Sequence, residues 1–201
     1  MESLKILQKN LEKKGFRATY CETRTEAGQI LLSEIQDGET VGIGGSMTIK
    51  ELDLLDALGR KNCAVHWHWL PGANNKETRK LAADANIYLC STNAVTQNGE
   101  LVNIDGFGNR AAAMFFGPGQ CIIVMGRNKM VADYDAAIKR IKENPCPKNA
   151  ARMNLDTPCA KTGRCNDCAS THRICNVTTI ISHPPGGRDV HIILVNEEMG
   201  Y

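Results

Sequence analysis

Val41-Gly42-Ile43-Gly44-Gly45-Ser46-Met47-Thr48 is the stretch whose reading decides the architecture. Its first half is a short apolar run, read as a buried strand. Gly44 and Gly45 turn the chain. Thr48, with Glu51 three residues on, gives a capping-box pattern, so a helix follows directly and ends near Gly59. A strand that feeds a glycine turn and then a helix N-terminus is the unit from which mainly parallel sheets are built. The same turn suits a ligand: glycines let the backbone come close, and free amides with the helix dipole favour an anion. Ser46 and Thr48 add hydroxyl groups. The plainer alternative is a tight turn that Thr48 merely caps. The stretch is neither a Walker loop nor a dinucleotide fingerprint, because no Lys follows and the GxGxxG spacing is absent.

Outward from this unit the alternation continues. Leu4, Leu7 and Leu11 mark one face of a first helix that Gly15 stops, and residues 16–21 read as a strand. Thr23 and Glu26 form another capping box, opening a helix that carries Ile30, Leu31 and Ile35. Downstream come a strand at 63–69, a helix at 76–85 and a strand at 87–90. Asn98-Gly99 makes a hairpin of 95–96 and 101–104. Residues 111–116 read as helical, 121–125 as a fully apolar strand, and 130–143 as a helix closed by Pro145 and Pro147. Strands at 178–181 and 190–195 are expected to pair across Pro184-Pro185-Gly186-Gly187. The expectation is one domain over residues 1–201, α/β in class, a three-layer α/β/α stack about a mainly parallel sheet, with a Cys-rich insertion at 144–176.

A chain of 201 residues with 42% hydrophobic and 23% charged residues can bury a full core. The net charge of +2, from 24 basic against 22 acidic residues, argues against nucleic acid or an anionic membrane as partner. No stretch approaches the ~20 apolar residues of a membrane helix. Residues 1–14 mix charges with leucines, unlike a secretory signal. Of the nine cysteines, Cys21, Cys63, Cys90 and Cys121 lie in or beside apolar segments and read as small core residues. The odd count with no signal points to a reducing, cytoplasmic setting.

Residues 91–110 are the densest polar stretch. Asn93, Thr96, Glu100, Asn103, Asp105, Asn109 and Arg110 occur within 18 residues, next to Gly106 and Gly108. Ligands in open α/β sheets gather at the carboxyl ends of strands, and Ser91-Thr92-Asn93 follows one. Asp105 is read as a base or a hydroxyl orienter, with Glu100 as a second proton-moving candidate. Arg110 is read as a bidentate clamp for a carboxylate or phosphate. On this reading Arg110→Ala removes ligand binding and leaves the fold intact. The alternative, ordinary turns at Asn98-Gly99 and Asp105-Gly106, is accepted for the first of them.

Cys159, Cys165, Cys168 and Cys175 fall within 17 residues, and thiolates that converge can hold a soft cation. The spacing fits neither a zinc ribbon nor the bacterial ferredoxin run. Structural zinc, an iron–sulfur cluster, free thiols and a redox-active Cys165/Cys168 pair all remain open, with Cys146 and His172 as spare ligands. His66 and His68 share one face of a strand and Trp67 and Trp69 the other, the tryptophans in core or interface. The paired tryptophans and apolar edges point to a homodimer. Arg127-Asn128-Lys129 follows an apolar strand and places a basic rim near the two glycine-bearing loops.

Gly44-Gly45-Ser46-Met47-Thr48, the run from Ser91 to Arg110, Val124-Met125-Gly126-Arg127-Asn128-Lys129 and the closing Val195-Asn196-Glu197-Glu198-Met199-Gly200-Tyr201 together resemble the LUD-domain (lactate-utilisation) family over nearly the whole chain. The resemblance implies the NagB/RpiA/CoA-transferase-like fold of ribose-5-phosphate isomerase, glucosamine-6-phosphate deaminase and coenzyme A transferases. Residues 98–103 are also similar to an Asn-Gly-Asp-x-x-Asn-Lys run of methylthioribose-phosphate isomerase, but Ile104 stands where that Lys would be. What the resemblance implies is a subunit that binds a carboxylate or anionic cofactor and works with iron–sulfur partner proteins in lactate oxidation. Having no flavin or nicotinamide fingerprint, such a chain needs a partner for hydride chemistry. The other reading is a stand-alone sugar-phosphate isomerase-like or coenzyme A-dependent enzyme. There Arg110 and residues 44–48 hold the anion, and Asp105 or Glu100 moves protons.

Overall fold

The computed structural model describes residues 2–117 and 119–201. In chain order the elements are α1 (Glu2–Lys13), β1 (Arg17–Cys21), α2 (Arg24–Ser33), β2 (Thr40–Ile43), α3 (Met47–Lys50), α4 (Leu55–Arg60) and β3 (Ala64–Trp67). Then follow α5 (Asn75–Ala83), β4 (Ile87–Cys90), β5 (Ala94–Thr96), β6 (Leu101–Asp105), α6 (Asn109–Phe115) and β7 (Gln120–Gly126). The last are β8 (Met130–Val131), α7 (Tyr134–Glu143), α8 (Pro145–Arg152), α9 (Pro158–Thr162), β9 (Val177–Ile181) and β10 (Val190–Val195).

Six strands form a parallel sheet in the order β1-β10-β7-β4-β2-β3. Alternation along β7 shows how it is covered. Cys121, Ile123 and Met125 pack with Leu4, Leu7 and Leu11 of α1 and Met114 of α6. Ile122 and Val124 face the other way, onto Ala27 and Leu31 of α2 and Ile49 and Leu58 beyond it. These are the two helix-covered faces of the expected three-layer α/β/α stack. A second sheet, ordered β8-β5-β6-β9, lies over the α1 side. Its Val95, Leu101 and Ile181 join that core, and Ala94 and Val102 pack beneath Ala137 and Ile141 of α7. No helix among the described residues is long and apolar enough to cross a membrane.

Four sequence expectations are corrected. Ser46, not Thr48, caps the helix after β2, its hydroxyl accepting from the Ile49 amide at 3.2 Å. That helix is also broken into α3 and α4, with Asp53 between them at φ +50°. Residues 130–131 are a strand, because Met130 pairs beside Val95; the helix begins only after Asp133, whose carboxylate caps Ala136 at 2.9 Å. That helix does end at Glu143, ahead of Pro145 as read, and Pro145 then starts α8, where a first-turn proline loses no hydrogen bond. Finally, β9 and β10 do not pair. β10 is buried along its whole length between β1 and β7, as an apolar run in a parallel sheet should be, while β9 runs antiparallel to β6 at the edge of the small sheet.

Candidate functional site

Three neighbouring strands of the parallel sheet end at one place. β2 runs into Gly44, whose amide still donates to Leu89 O at 3.0 Å, and then into Ser46 and Thr48. A side chain at Gly44 would collide with the Tyr88 hydroxyl, its Cβ lying 2.8 Å away, so this turn needs glycine. β4 ends at Cys90 and delivers Ser91; β7 ends at Gly126 and delivers Lys129. The Lys129 Nζ donates to Thr48 Oγ1 at 2.6 Å and to Ser91 Oγ at 2.8 Å. Residues 196–201 close over this point: Thr48 Oγ1 donates to Met199 O at 3.4 Å, and the Gly200 amide donates to Glu51 at 2.9 Å.

Beside it lies a polar hub built by the small sheet and α6. Gly108, at φ +76°, turns the chain into α6, which carries Arg110 inward. One terminal guanidinium nitrogen donates to Ser91 O at 2.8 Å and Asn103 Oδ1 at 2.5 Å. The other donates to Asn93 Oδ1 at 2.7 Å, to Ile104 O at 3.3 Å and to the Asp105 carboxylate. The second Asp105 oxygen accepts from the Ala111 amide at 2.7 Å. Asn103 Oδ1 also takes the Asn93 amide, and Asn93 Oδ1 takes the Ile104 amide, each at 3.0 Å. Arg110 and Asp105 are each 7% exposed. Both terminal nitrogens of the arginine are thus saturated inside the protein, and both aspartate oxygens are engaged. The hub is a buried ion pair whose removal on one side leaves a charge without a partner.

A cavity of about 360 Å³ opens where these parts meet. Of the residues singled out in the sequence, Gly45, Ser46, Thr48, Asn93, Asp105, Gly106, Asn109 and Arg110 line it. Gly44, Asn103 and Gly108 stand behind as a close approach, a hydrogen-bond anchor and a helix cap. Glu100 is elsewhere, in the hairpin turn, where its carboxylate accepts from Thr96 Oγ1 at 3.1 Å and its own amide donates back to that hydroxyl at 3.1 Å.

Sequence reasoning missed part of the wall. Arg79 of α5 lies over the Phe107 ring at 4.3 Å, and Arg152 of α8 over the Trp69 ring at 4.5 Å. Both line the cavity with His68 and Lys129. Three arginines, Arg79, Arg110 and Arg152, therefore face one acidic side chain among the described lining residues, Asp105, which is already paired with Arg110. Burial, then Arg79 and Arg152, holds His68 below the usual imidazole range. Burial, with Arg140 and Arg110 nearby, brings Lys129 down to about 7. The signal for Lys129 was present, a lysine three residues past a buried apolar strand. Arg79 and Arg152 belong to no motif, and only the tertiary fold places them here.

The cysteine-rich segment flanks the same cavity through Cys146 and Ile174. Cys159 lies in α9, and Cys165, Cys168 and Cys175 lie in the loops after it. All nine cysteines are free. Burial, followed by the neighbouring Cys175, Cys165 and Cys159, pushes the Cys146 thiol up to about 12. Arg173 ties the loop together, donating to Cys168 O at 2.8 Å and Cys175 O at 2.9 Å. Among the described residues no group of three or more His, Cys, Asp or Glu is placed to hold a metal ion. As placed, then, the sulfurs do not form a coordination set.

The family model of the LUD domain matches residues 4–195. The chain is also similar to the crystal structure of a DUF162 family protein from Deinococcus radiodurans, with a TM-score of 0.55 and 14% identity over 96% of each chain. At that identity the likeness speaks for the fold. No curated protein matches the sequence. With a match over almost its whole length, the chain belongs to the LUD-domain family.

Proposed function

We propose that the chain binds a small carboxylate or another anionic cofactor in the cavity between the two sheets, as a subunit working with iron–sulfur redox partners in lactate oxidation. The observation that carries this reading is the charge of the wall. Arg79, Arg110 and Arg152 line it against Asp105, the one acidic side chain among the described lining residues, which Arg110 already neutralises. In a concave site sheltered from water such an excess attracts an anion and weakens with salt. Ser46, Thr48 and Ser91 supply hydroxyls, and the aromatic faces of Phe107 and Trp69 hold Arg79 and Arg152 in place. The cysteine-rich segment, at the rim, is the part that helps assembly or electron flow with the partner.

The stand-alone isomerase-like or coenzyme A-dependent reading is weaker. It needs Asp105 or Glu100 to move protons, yet Asp105 accepts on both oxygens and Glu100 belongs to the hairpin turn. Isothermal titration of the chain with L-lactate, pyruvate and inorganic phosphate tests the binding proposal. Saturable binding that loses affinity with added salt is the expected result. Heat indistinguishable from dilution for all three anions would refute it. Co-purification with an iron–sulfur protein would separate the subunit reading from the stand-alone enzyme.

A further inference from the structure

We propose that Lys129 is a nucleophilic amine that forms a reversible imine with a small carbonyl compound bearing an anionic group, a 2-oxo acid or a carbonyl phosphate. The inference rests on the anion-binding reading and names the substrate class of that site.

The geometry is that of an amine with one valence left over. Lys129 is 4% exposed, yet it forms no ion pair with any carboxylate among the described residues. Its two partners are hydroxyls, Thr48 Oγ1 at 2.6 Å and Ser91 Oγ at 2.8 Å. Each hydroxyl directs its own hydrogen to a carbonyl, Thr48 to Met199 O at 3.4 Å and Ser91 to Thr92 O at 3.3 Å. Both must therefore accept from the lysine. A neutral amine has two hydrogens, and these contacts use both. The nitrogen lone pair is what remains, on a residue that lines the cavity.

The surroundings keep about half of that amine neutral at pH 7. Burial is the largest influence; Arg140 of α7 and Arg110 of α6 oppose its charge, against weaker support from Glu51 after α3 and from Cys90 of β4. A buried lysine without a carboxylate is a costly place for an ammonium ion and a good one for a nucleophile. The same cations that disfavour the ammonium attract an anionic substrate, which would hold the carbonyl against the amine.

The step balances without an oxidant or reductant. The nitrogen lone pair forms a C–N bond with the carbonyl carbon, and the C=O π pair moves to oxygen. That oxygen takes the proton the nitrogen gives up, through the Ser91 or Thr48 hydroxyl. Loss of the oxygen as water, with a second proton, leaves the C=N bond, and hydrolysis reverses it.

Trapping with sodium cyanoborohydride is the test. The full chain is incubated at pH 7 with pyruvate in one arm and dihydroxyacetone phosphate in another, reduced, digested and mapped by mass spectrometry. Among the lysines, the expected result is one adduct, at Lys129, formed on the order of 100-fold faster than at any exposed lysine. About half of an amine titrating near 7 is neutral at that pH, against about one part in 3,000 of an ordinary lysine. The arm that reacts identifies the anionic group. L-lactate, which has no carbonyl, should give no adduct but slow the trapping. Lys129→Arg, checked for native near-ultraviolet circular dichroism, should give none. Adducts spread evenly over the surface lysines would overturn the proposal, as would equal labelling of the variant. Calorimetric binding of pyruvate without trapping at Lys129 would refute the imine and leave the anion site standing. No binding in any arm would remove both.

Discussion

Replacing Lys129 with Met should change how stability depends on pH, in a direction that burial of the amine dictates. In the folded chain Lys129 titrates at about 7, against an ordinary value of 10.5. Between those values the unfolded chain binds a proton that the folded chain does not. Stability of the wild type must then rise with pH through that window and be lowest below it. At ~1.4 kcal/mol per unit, the full penalty on the charged form is about 5 kcal/mol, and between pH 7 and pH 9 about 2 kcal/mol of it is relieved. Met keeps the length of the side chain and removes the charge. Thr48 and Ser91 keep their carbonyl acceptors, so the variant leaves no buried hydroxyl hydrogen stranded. Urea titrations of both proteins at intervals across pH 6 to 9 give the two curves. Their difference isolates Lys129, because every other titrating group is common to both. The wild type should gain about 2 kcal/mol on the variant from pH 7 to 9. Parallel curves would mean that the amine keeps its solution pKa, and both the desolvation argument and the nucleophile built on it would fail.

Other expectations concern separate parts of the structure. Arg110→Ala should destabilise the fold by roughly 3–5 kcal/mol, since it leaves the buried Asp105 carboxylate without its cation and takes a donor from four further acceptors; urea melts at neutral pH measure it. Arg79→Ala with Arg152→Ala should leave those melts nearly unchanged, because both guanidinium groups stack at the cavity wall, but should weaken phosphate or pyruvate binding on the order of tenfold by calorimetry. Gly42→Ala should cost about 1–3 kcal/mol or more, because its Cβ would lie 2.1 Å from Ala82 O of α5, a backbone atom with nowhere to go. If the cysteine-rich segment takes up zinc or an iron–sulfur cluster, metal analysis of the purified chain will find it, and a chelator will lower the melting temperature. Equal melts and an empty analysis would leave free thiols.

Much of this fold was legible because local and global signals agree. The strand–glycine–helix unit at residues 41–48, the capping box at Thr23 and the hairpin at Asn98-Gly99 all appear where periodicity and turn chemistry put them. The failures share a cause: the sequence does not display long-range partners. Met130 and Val131 continue a helical pattern, yet Val95 and Thr96 recruit them into a sheet. Residues 178–181 and 190–195 look like a hairpin because they are neighbours in sequence. The buried gap between β1 and β7 claims the more apolar of the two, and the other goes to a different sheet. Thr48 and Ser46 compete for the same cap, and Ser46 takes it because Lys129, eighty-one residues away, occupies the Thr48 hydroxyl.

The site divides along the same line. Arg110 is the most conspicuous cation in the densest polar run, and a sequence reading naturally gives it the ligand. Inside the protein its two terminal nitrogens are filled by groups from β6 and the loops beside it and after β4. A guanidinium so bound has little left for a ligand; it fixes the positions of Ser91, Asn93 and Asp105, and through Ser91 O the neighbourhood of Lys129. Groups that meet a ligand are those with bonding capacity left over. In this cavity they include the unshared valence of Lys129, the guanidinium edge of Arg79, whose face lies on Phe107, and the part of the Arg152 guanidinium that its bonds to Asn149 Oδ1 and its stacking on Trp69 leave free. The polar run therefore builds the wall, and three cations from distant elements supply its reactivity. That division predicts opposite phenotypes for two buried basic residues that both bond to Ser91: loss of Arg110 should show first in stability, and loss of Lys129 first in chemistry.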